Sequence, residues 1–208
     1  MFDPVRDYQT TILNKSALPK NKKAVVLDLG CGRGDNSIEL ALRYYSKVIG
    51  VDLEGNFEVP KSIKNLKLIK ANAEKLPFKR NTFDIIFAKD TLHHIHNLGL
   101  TLSEVKRVLK PGGRLIVVES NRYNPIFYFH MTRMEKHNHF SAGYLKLLLE
   151  EHGFTIKKFN HVDSRVYPIP NMAIHNLFHF LETLVENLPL VNQFSSYNVV
   201  HVINRHKK

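Results

Sequence analysis

A glycine-rich loop directly after a buried apolar strand is the feature that most constrains this chain. Residues 24–30 read AVVLDLG, a continuous apolar run typical of a parallel strand that is covered on both faces. The loop continues as Cys31-Gly32-Arg33-Gly34, and helical spacing of apolar residues follows over Asp35 to Tyr45. Glycines let the backbone turn tightly and approach a ligand closely. This strand, loop and helix predict a nucleotide-binding α/β domain.

Strands and helices alternate along the remaining sequence, which predicts an α/β fold with a mostly parallel sheet. The pattern predicts helices over 7–18, 35–45, 102–110 and 141–151, the last with Ser141 as N-cap, and the triplet Pro111-Gly112-Gly113 is predicted to stop the third. Seven strands are predicted, at 24–30, 47–52, 66–71, 83–88, 114–119, 154–162 and 197–204.

An acidic residue at the end of the second strand indicates the cofactor. Asp52 follows Gly30 by about twenty residues, where a carboxylate can accept hydrogen bonds from both hydroxyls of a ribose. The loop has the spacing G-x-G-x-G, with Asp28 before it and Asp35 after it, whereas a nicotinamide dinucleotide fingerprint reads G-x-G-x-x-G. Negative charge there disfavours a pyrophosphate and suits a ligand with an amine and a sulfonium. We therefore expect S-adenosylmethionine (SAM).

Five motifs follow one another along the chain, beginning at residues 25, 48, 72, 83 and 102: VVLDLGCGRG, VIGVD, NAEKLPF, FDIIFAKDTLHHI and LSEVKRVLKPGGRLIVVE. Their order and spacing resemble those of class I SAM-dependent methyltransferases of the small-molecule, ubiquinone-biosynthesis-like type. The resemblance implies a Rossmann-like sheet of seven strands, mostly parallel with the last strand antiparallel, and helices on both faces. It also implies one domain over residues 1–208, with a lid-like segment at 121–140 and a helical insert at 171–190.

The resemblance also implies which residues hold the cofactor. The loop should lie near the methionine part of SAM, Asp52 should bind the ribose, and Leu53 should pack on the adenine face. Asn72 stands where the family more often has Asp, so it keeps an acceptor oxygen for the adenine amino group and loses a charge. The implied cofactor-binding residues are Asp28, Gly30, Cys31, Gly32, Gly34, Asp52, Leu53, Asn72, Ala73, Ala88 and Lys89.

Two histidines after the fourth strand are the candidates for proton transfer. Methyl transfer from a sulfonium mainly requires alignment, and a general base is needed only if the acceptor must lose a proton. His94 is the leading candidate for that base, and His93 and Asp90 are weaker ones. The alternative interpretation is that the histidine pair caps or packs the loop.

The second half of the chain carries two aromatic or apolar features with more than one interpretation. Tyr123, Phe127, Tyr128, Phe129 and Phe140 either wall an apolar acceptor pocket or form core beneath a long loop. An apolar helical stripe from Ile174 to Leu188 packs on the sheet by default, and otherwise covers the pocket or forms a dimer face. His137 and His139 lack companions of metal-site spacing, so no metal is expected.

Composition narrows the class of protein without naming the acceptor. One cysteine, no signal peptide and no apolar run long enough to span a membrane predict a cytoplasmic protein. A monomer or a homodimer is expected. A net charge of +11 favours an anionic partner, so an RNA or protein methyltransferase is one alternative. A SAM-binding protein without catalysis is another, and an NAD-dependent dehydrogenase is a distant one. The leading hypothesis is methyl transfer from SAM to a small molecule.

Overall fold

The computed structural model describes residues 3–57, 62–125, 128, 139–162, 171–188 and 191–204. Its strands are β1 (Val25–Leu29), β2 (Lys47–Asp52), β3 (Leu66–Lys70), β4 (Phe83–Lys89), β5 (Leu109–Ser120), β6 (Phe154–Val162) and β7 (Tyr197–Asn204). They form one sheet in the order β3-β2-β1-β4-β5-β7-β6. The pairs among β1 to β5 are parallel, and β7 runs antiparallel to both of its neighbours. The predicted seven-stranded sheet with an antiparallel last strand is confirmed.

The described helices are α1 (Pro4–Lys15), α2 (Asp35–Glu39), α3 (Leu98–Val108), α4 (Ala142–Glu151) and α5 (Met172–Asn187). A π-helical turn at Leu40–Tyr44 continues α2, so the single α-helix predicted over 35–45 changes its hydrogen-bonding pattern midway. Ser141 caps α4 as predicted, because its side chain accepts a hydrogen bond from the backbone N–H of Tyr144 at 3.2 Å. No helix within the described ranges is both long and apolar enough to cross a membrane.

Each face of the sheet carries its own apolar core. Along β4, Ile86 and Ala88 pack with side chains of α3 and α4, whereas Ile85 and Phe87 pack with side chains of α1 and of the π-helical turn. Successive strand residues point to opposite faces, so a strand covered on both sides must be apolar throughout. This is why the continuous apolar runs in the sequence mark the central strands.

The triplet at Pro111 interrupts the sheet, where the sequence predicted a turn between helix and strand. The prediction of a helix to residue 110 and a strand from 114 was wrong, because α3 ends at Val108 and β5 begins at Leu109. Phe83 pairs with Leu109 but Ile85 pairs with Arg114, so β5 bulges out between these two pairs. Proline lacks an N–H for the ladder and Gly112 has φ 72°, and a bulge accommodates both.

Two predicted features of the second half lie partly outside the described residues. Of the lid-like segment 121–140, residues 126, 127 and 129–138 fall outside them, including Phe127, Phe129 and His137. Of the insert 171–190, α5 and residues 171 and 188 are described. Packing of the α5 stripe on the sheet was the default prediction, and it is wrong for its described members. The exposed members are Ile174, Leu177, Leu181 and Leu188. The side chains of the other predicted members, Phe178, Leu184 and Val185, are outside the described part of the chain.

Candidate functional site

The glycine loop is fastened to the end of β2 by its own backbone. The N–H groups of Gly30 and Cys31 donate to the carbonyl oxygen of Val51, at 2.8 and 3.0 Å. The N–H of Gly32 donates to Oδ2 of Asp52 at 2.9 Å. The loop and the predicted ribose-binding carboxylate therefore form one structure at the carboxyl edge of the sheet, where α/β proteins bind nucleotides.

Gly30 is required by its packing as well as by its backbone angle. Its φ is 68°, and a Cβ placed there would lie 2.3 Å from Cγ2 of Thr91. Thr91 is buried, and its hydroxyl lies 2.8 Å from the carbonyl oxygen of Leu29 and 2.9 Å from that of Lys89. Close approach of a ligand was the reason that the sequence suggested for this glycine, and the structure adds the contact with Thr91, two residues after the end of β4.

Asp28 lies beneath the loop as a buried carboxylate. Its Oδ2 accepts a hydrogen bond from the hydroxyl of Ser37 at 2.5 Å. Burial raises the pKa of Asp28 to about 7, and the Ser37 hydrogen bond and the charge of Lys89 oppose that rise. A cationic ligand above this carboxylate would favour its ionised form.

A cavity of about 360 Å³ opens at the carboxyl edge beside the loop. It brings together residues that the sequence assigned to the cofactor and one that it assigned to proton transfer. Leu53 is 64% exposed, so its side chain offers an apolar surface in the cavity wall. The other predicted cofactor residues do not belong to the lining; they are Asp28, Cys31, Gly32, Gly34, Ala88 and Lys89. The predicted residues in the lining are Gly30, Asp52, Leu53, Asn72, Ala73 and His94.

Asn72 already uses its side-chain oxygen within its own turn. Oδ1 accepts a hydrogen bond from the N–H of Glu74 at 2.8 Å, and the backbone carbonyl accepts from Lys75 at 3.0 Å. An amide oxygen has two lone pairs, so one stays available for an adenine amino group. The turn thus fixes the orientation of the side chain that the sequence assigned to the adenine edge.

The two histidines have different environments. His93 Nδ1 lies 2.6 Å from Oε2 of Glu119, and both side chains are only 1% exposed. The other oxygen of Glu119 accepts from the N–H groups of Thr91 and Leu92, at 3.0 and 2.7 Å. His94 is exposed and lines the cavity. His93 thus has the packing role that the sequence analysis held as an alternative, and His94 has access to a ligand.

Glu119 is the site residue that the sequence analysis missed. Burial alone would lower the pKa of His93, but the hydrogen bond to Glu119 and the charge of Glu119 outweigh burial and raise that pKa. Burial raises the pKa of Glu119 itself. The available signal was an acid at the end of an otherwise apolar strand, since a buried carboxylate needs hydrogen-bond donors.

Asp90 is held inside a polar cluster at the ends of β4, β5 and β7. It has φ 48°, pairs with the ammonium of Lys89, and accepts from the hydroxyl of Ser120 at 2.9 Å. The hydroxyl of Tyr197 donates to Asp90 at 3.4 Å. The same hydroxyl lies 2.7 Å from the hydroxyl of Tyr8, and this contact connects α1 to the cluster. Burial would raise the pKa of Asp90, but Lys89 outweighs burial and lowers it. A weakly basic carboxylate of this kind is a poor general base.

The same cluster contains the one group of three metal-type ligands found in the described residues. Ligand atoms of Asp90, His93 and Glu119 lie within 4.8 Å of one another. His93 and Glu119 bond to each other, and the Lys89 ammonium beside Asp90 opposes a cation. His139 is buried with its ring 4.7 Å from that of His93, which also places it in the core rather than in a separate site.

The described aromatic residues of the lid-like segment divide between core and surface. Phe140 is buried and stacks on Tyr144, with ring centroids 5.6 Å apart. Tyr123 and Tyr128 are exposed. Phe140 therefore matches the interpretation as core, and the two tyrosines stay available to a ligand or partner.

Comparison with known proteins matches residues 27–117 to a family described as "Methyltransferase domain". A relative named demethylmenaquinone methyltransferase, from Staphylococcus aureus (strain MRSA252), is 33% identical over 134 residues, which are 61% of this chain and 55% of the relative. This chain thus spans about half the length of the curated relatives of that name. The region 27–117 that matches the family includes the glycine loop, Asp52, the histidine pair and most of β5.

Solved structures share the fold over nearly the whole chain. A SAM-dependent methyltransferase from Thermotoga maritima is 21% identical, with a TM-score of 0.70, and the match covers 97% of this chain and 91% of that one. The cyclase SpnF is also 21% identical, with a TM-score of 0.67, and the match covers 97% of this chain and 82% of that one. At these identities the structures support the fold, and the chemistry has to be argued from the site.

Proposed function

Because residues 27–117 match a family described as a methyltransferase domain, we propose that this chain is a SAM-dependent methyltransferase and transfers the methyl group of SAM to a small apolar molecule. The observation that carries the proposal is the joint placement of Gly30, Asp52 and Leu53 at one cavity of about 360 Å³. A carboxylate suits ribose hydroxyls, and an exposed leucine beside it suits the face of an adenine ring. The size is within the range of small-molecule sites.

The residues present fit SAM by their chemistry. Asp28 would face its ammonium and sulfonium charges, Asp52 would accept from the ribose hydroxyls, and Asn72 would accept from the adenine amino group. SAM supplies a methyl group bonded to a positively charged sulfur. The neutral thioether that remains after transfer is a good leaving group. The protein's own contribution is to align the acceptor, exclude water and, where needed, remove a proton.

We assign that proton removal to His94. Its side chain lines the same cavity as Asp52, and the turn that carries it is fixed by the hydrogen bonds of Glu119. An imidazole is suited to accept a proton near neutral pH. His93 acts as a positioning residue in this proposal, because its own nitrogen is bonded to Glu119.

The name of one relative supports the proposed acceptor class. The Staphylococcus relative is named for demethylmenaquinone, and an aromatic quinone-type acceptor would suit exposed tyrosines such as Tyr123 and Tyr128 in the segment after β5. RNA or protein is less favoured as an acceptor, since the fourth motif reads AKDTLHH and lacks the Pro-Pro-aromatic sequence used on base amines. We place the enzyme in the cytoplasm, as a monomer or homodimer.

SAM binding without methyl transfer is the second candidate function. SpnF has the same fold and is named for a cyclisation, so this fold also serves other chemistry. Both candidates need Asp28 and Asp52, and they differ in whether His94 and an acceptor take part.

Calorimetric titration with SAM, S-adenosylhomocysteine and NAD tests the cofactor assignment. We expect micromolar binding of both adenosyl ligands and none of NAD. Transfer of a labelled methyl group is then measured with naphthoquinols, bulk RNA and peptides as acceptors. Labelling of a quinol supports the proposal, whereas labelling of RNA or peptide alone favours the alternative acceptors. SAM binding with no transfer to any acceptor favours the second candidate, and failure to bind either adenosyl ligand overturns both.

A further inference from the structure

Helix α5 presents an apolar face that no other described element covers. The α5 side chains that the structure describes are all exposed, and four of them are large and apolar: Ile174, Leu177, Phe180 and Leu181. Ile174, Leu177 and Leu181 are spaced by three and four residues, so they share one side of the helix, and Leu177 is 56% exposed. Single exposed apolar side chains are ordinary, but a contiguous apolar face marks an interaction surface.

Exposed apolar side chains also occur in the turn that follows the helix. Val191 and Phe194 are also exposed, and α5 contacts the 3₁₀ turn Asn192–Phe194. We call Ile174, Leu177, Phe180, Leu181, Val191 and Phe194 together the apolar edge surface.

An exposed tyrosine and an arginine border this surface. The side-chain amide of Asn121 donates to the carbonyl oxygens of Gln193 and Ser195, at 2.7 and 2.8 Å. These bonds hold the segment after β5 against the turn, and that segment carries exposed Arg122 and Tyr123. An apolar centre with tyrosine and arginine at its rim is the composition of surfaces that lie at a bilayer interface.

The apolar edge surface lies at the same edge of the sheet as the cofactor cavity. Ser120 at the end of β5 pairs with Tyr197 at the start of β7, and Tyr197 pairs with Val162 at the end of β6. The connection from β6 to β7, which contains α5, therefore leaves and re-enters the sheet at its carboxyl edge. Asp52 and His94 lie at that edge too.

We propose that the apolar edge surface docks on an anionic lipid bilayer. The net charge of +11 makes two copies of this chain repel each other and attracts the chain to an anionic membrane. At 16 residues, α5 is shorter than a membrane-spanning helix, so it lies in the plane of the interface. Docking would turn the cavity towards the lipid, where an apolar acceptor dissolves. This last point rests on the proposed function, whereas the docking itself does not.

Flotation with phosphatidylcholine vesicles, with and without phosphatidylglycerol, tests the proposal on the full chain. We expect binding to the anionic vesicles that weakens as salt is added, because screening reduces the attraction. Leu177→Glu should lower the vesicle affinity by about tenfold or more, since it puts a charge where an apolar side chain enters the lipid. Leu42→Glu is the matched control, because Leu42 is 53% exposed and lies in the π-helical turn after α2.

Three results would overturn docking on lipid. In the first, the unaltered chain does not bind anionic vesicles. In the second, Leu177→Glu and Leu42→Glu lose vesicle binding equally. In the third, light scattering shows a dimer that Leu177→Glu converts to a monomer, and the chain does not bind vesicles. SAM titration of the same samples separates this proposal from the function. If the unaltered chain binds SAM but not anionic vesicles, docking alone is overturned, and if it binds vesicles but not SAM, the cofactor assignment alone is overturned.

Discussion

The backbone N–H of Gly32 donates to Oδ2 of Asp52 at 2.9 Å, which joins the loop after β1 to the end of β2. The second oxygen, Oδ1, accepts from the N–H of Glu54 at 3.0 Å. Both oxygens are therefore oriented by backbone groups of the protein itself. A carboxylate held in this way pays little entropy when a ligand hydroxyl bonds to its remaining lone pairs.

Asp52→Ala should weaken SAM binding by about 1.5–3 kcal/mol, because it removes charge-assisted hydrogen bonds to the ribose. Calorimetry measures the loss, and circular dichroism confirms that the fold is intact. Glu54→Ala is the matched control, since it removes one negative charge from an exposed neighbour whose backbone N–H stays in place. Equal affinities of Asp52→Ala and the unaltered protein would refute the ribose assignment.

Gly30→Ala should destabilise the protein by about 2–4 kcal/mol, which combines a strained positive φ with overpacking against Thr91. The free energy of unfolding is measured with denaturant. Gly143→Ala is the matched control, because Gly143 lies in α4 and a Cβ there meets nothing within 4 Å. We expect that control to change stability by less than about 1 kcal/mol. An unchanged free energy of unfolding in Gly30→Ala would mean that Thr91 moves aside without cost and would refute this prediction.

The sequence predicted the central strands well because their burial on both faces leaves a direct mark. The run from Phe83 to Ala88 was predicted as a strand, and β4 extends only one residue further, to Lys89. The positions of the loop after β1 and of Asp52 at the end of β2 were also predicted. A sharp turn requires glycine, and an acid at the end of the second strand is the residue expected to bind a ribose.

Contacts that depend on sheet register could not be predicted. Glu119 and His93 are 26 residues apart, and they meet because β4 and β5 are paired neighbours. The bulge around Pro111 is a second case, since a breaker sequence fits a loop and a strand bulge equally well. Exposure of the α5 stripe is a third, because an apolar spacing defines a face and does not say what covers it.

Asp28→Asn should remove a pH-dependent loss of stability. Burial raises the pKa of Asp28 from 3.8 to about 7, so over that window the folded chain keeps a proton that the unfolded chain has released. Stability therefore falls as pH rises through this window. At pH values above about 7, the variant should be more stable than the unaltered protein by roughly 1–4 kcal/mol, and it should bind SAM more weakly.

Asp84→Asn provides a control of opposite sign for that experiment. Burial would raise the pKa of Asp84, but hydrogen bonds from Lys110 and Val25 outweigh burial and lower the pKa. Its ionised form therefore stabilises the fold, and this contribution is lost as pH falls below 3.8. Asp84→Asn should be less stable than the unaltered protein at neutral pH. Denaturant unfolding across the pH range measures both variants, and parallel pH profiles of Asp28→Asn and the unaltered protein would refute the buried-acid assignment.

Glu119→Gln should lower the pKa of His93, because an amide cannot stabilise the imidazolium as a carboxylate does. In the unaltered protein the raised pKa stabilises the fold below the ordinary value of 6.5, and this contribution disappears as pH rises through the folded value. The stability loss in the variant should thus be about 1–3 kcal/mol in weak acid and smaller in base. NMR titration of the histidines measures the pKa directly. Glu104→Gln, whose carboxylate pairs with Arg107, should leave the His93 titration unchanged. An unchanged His93 pKa in Glu119→Gln would refute the assignment of the raised pKa to Glu119.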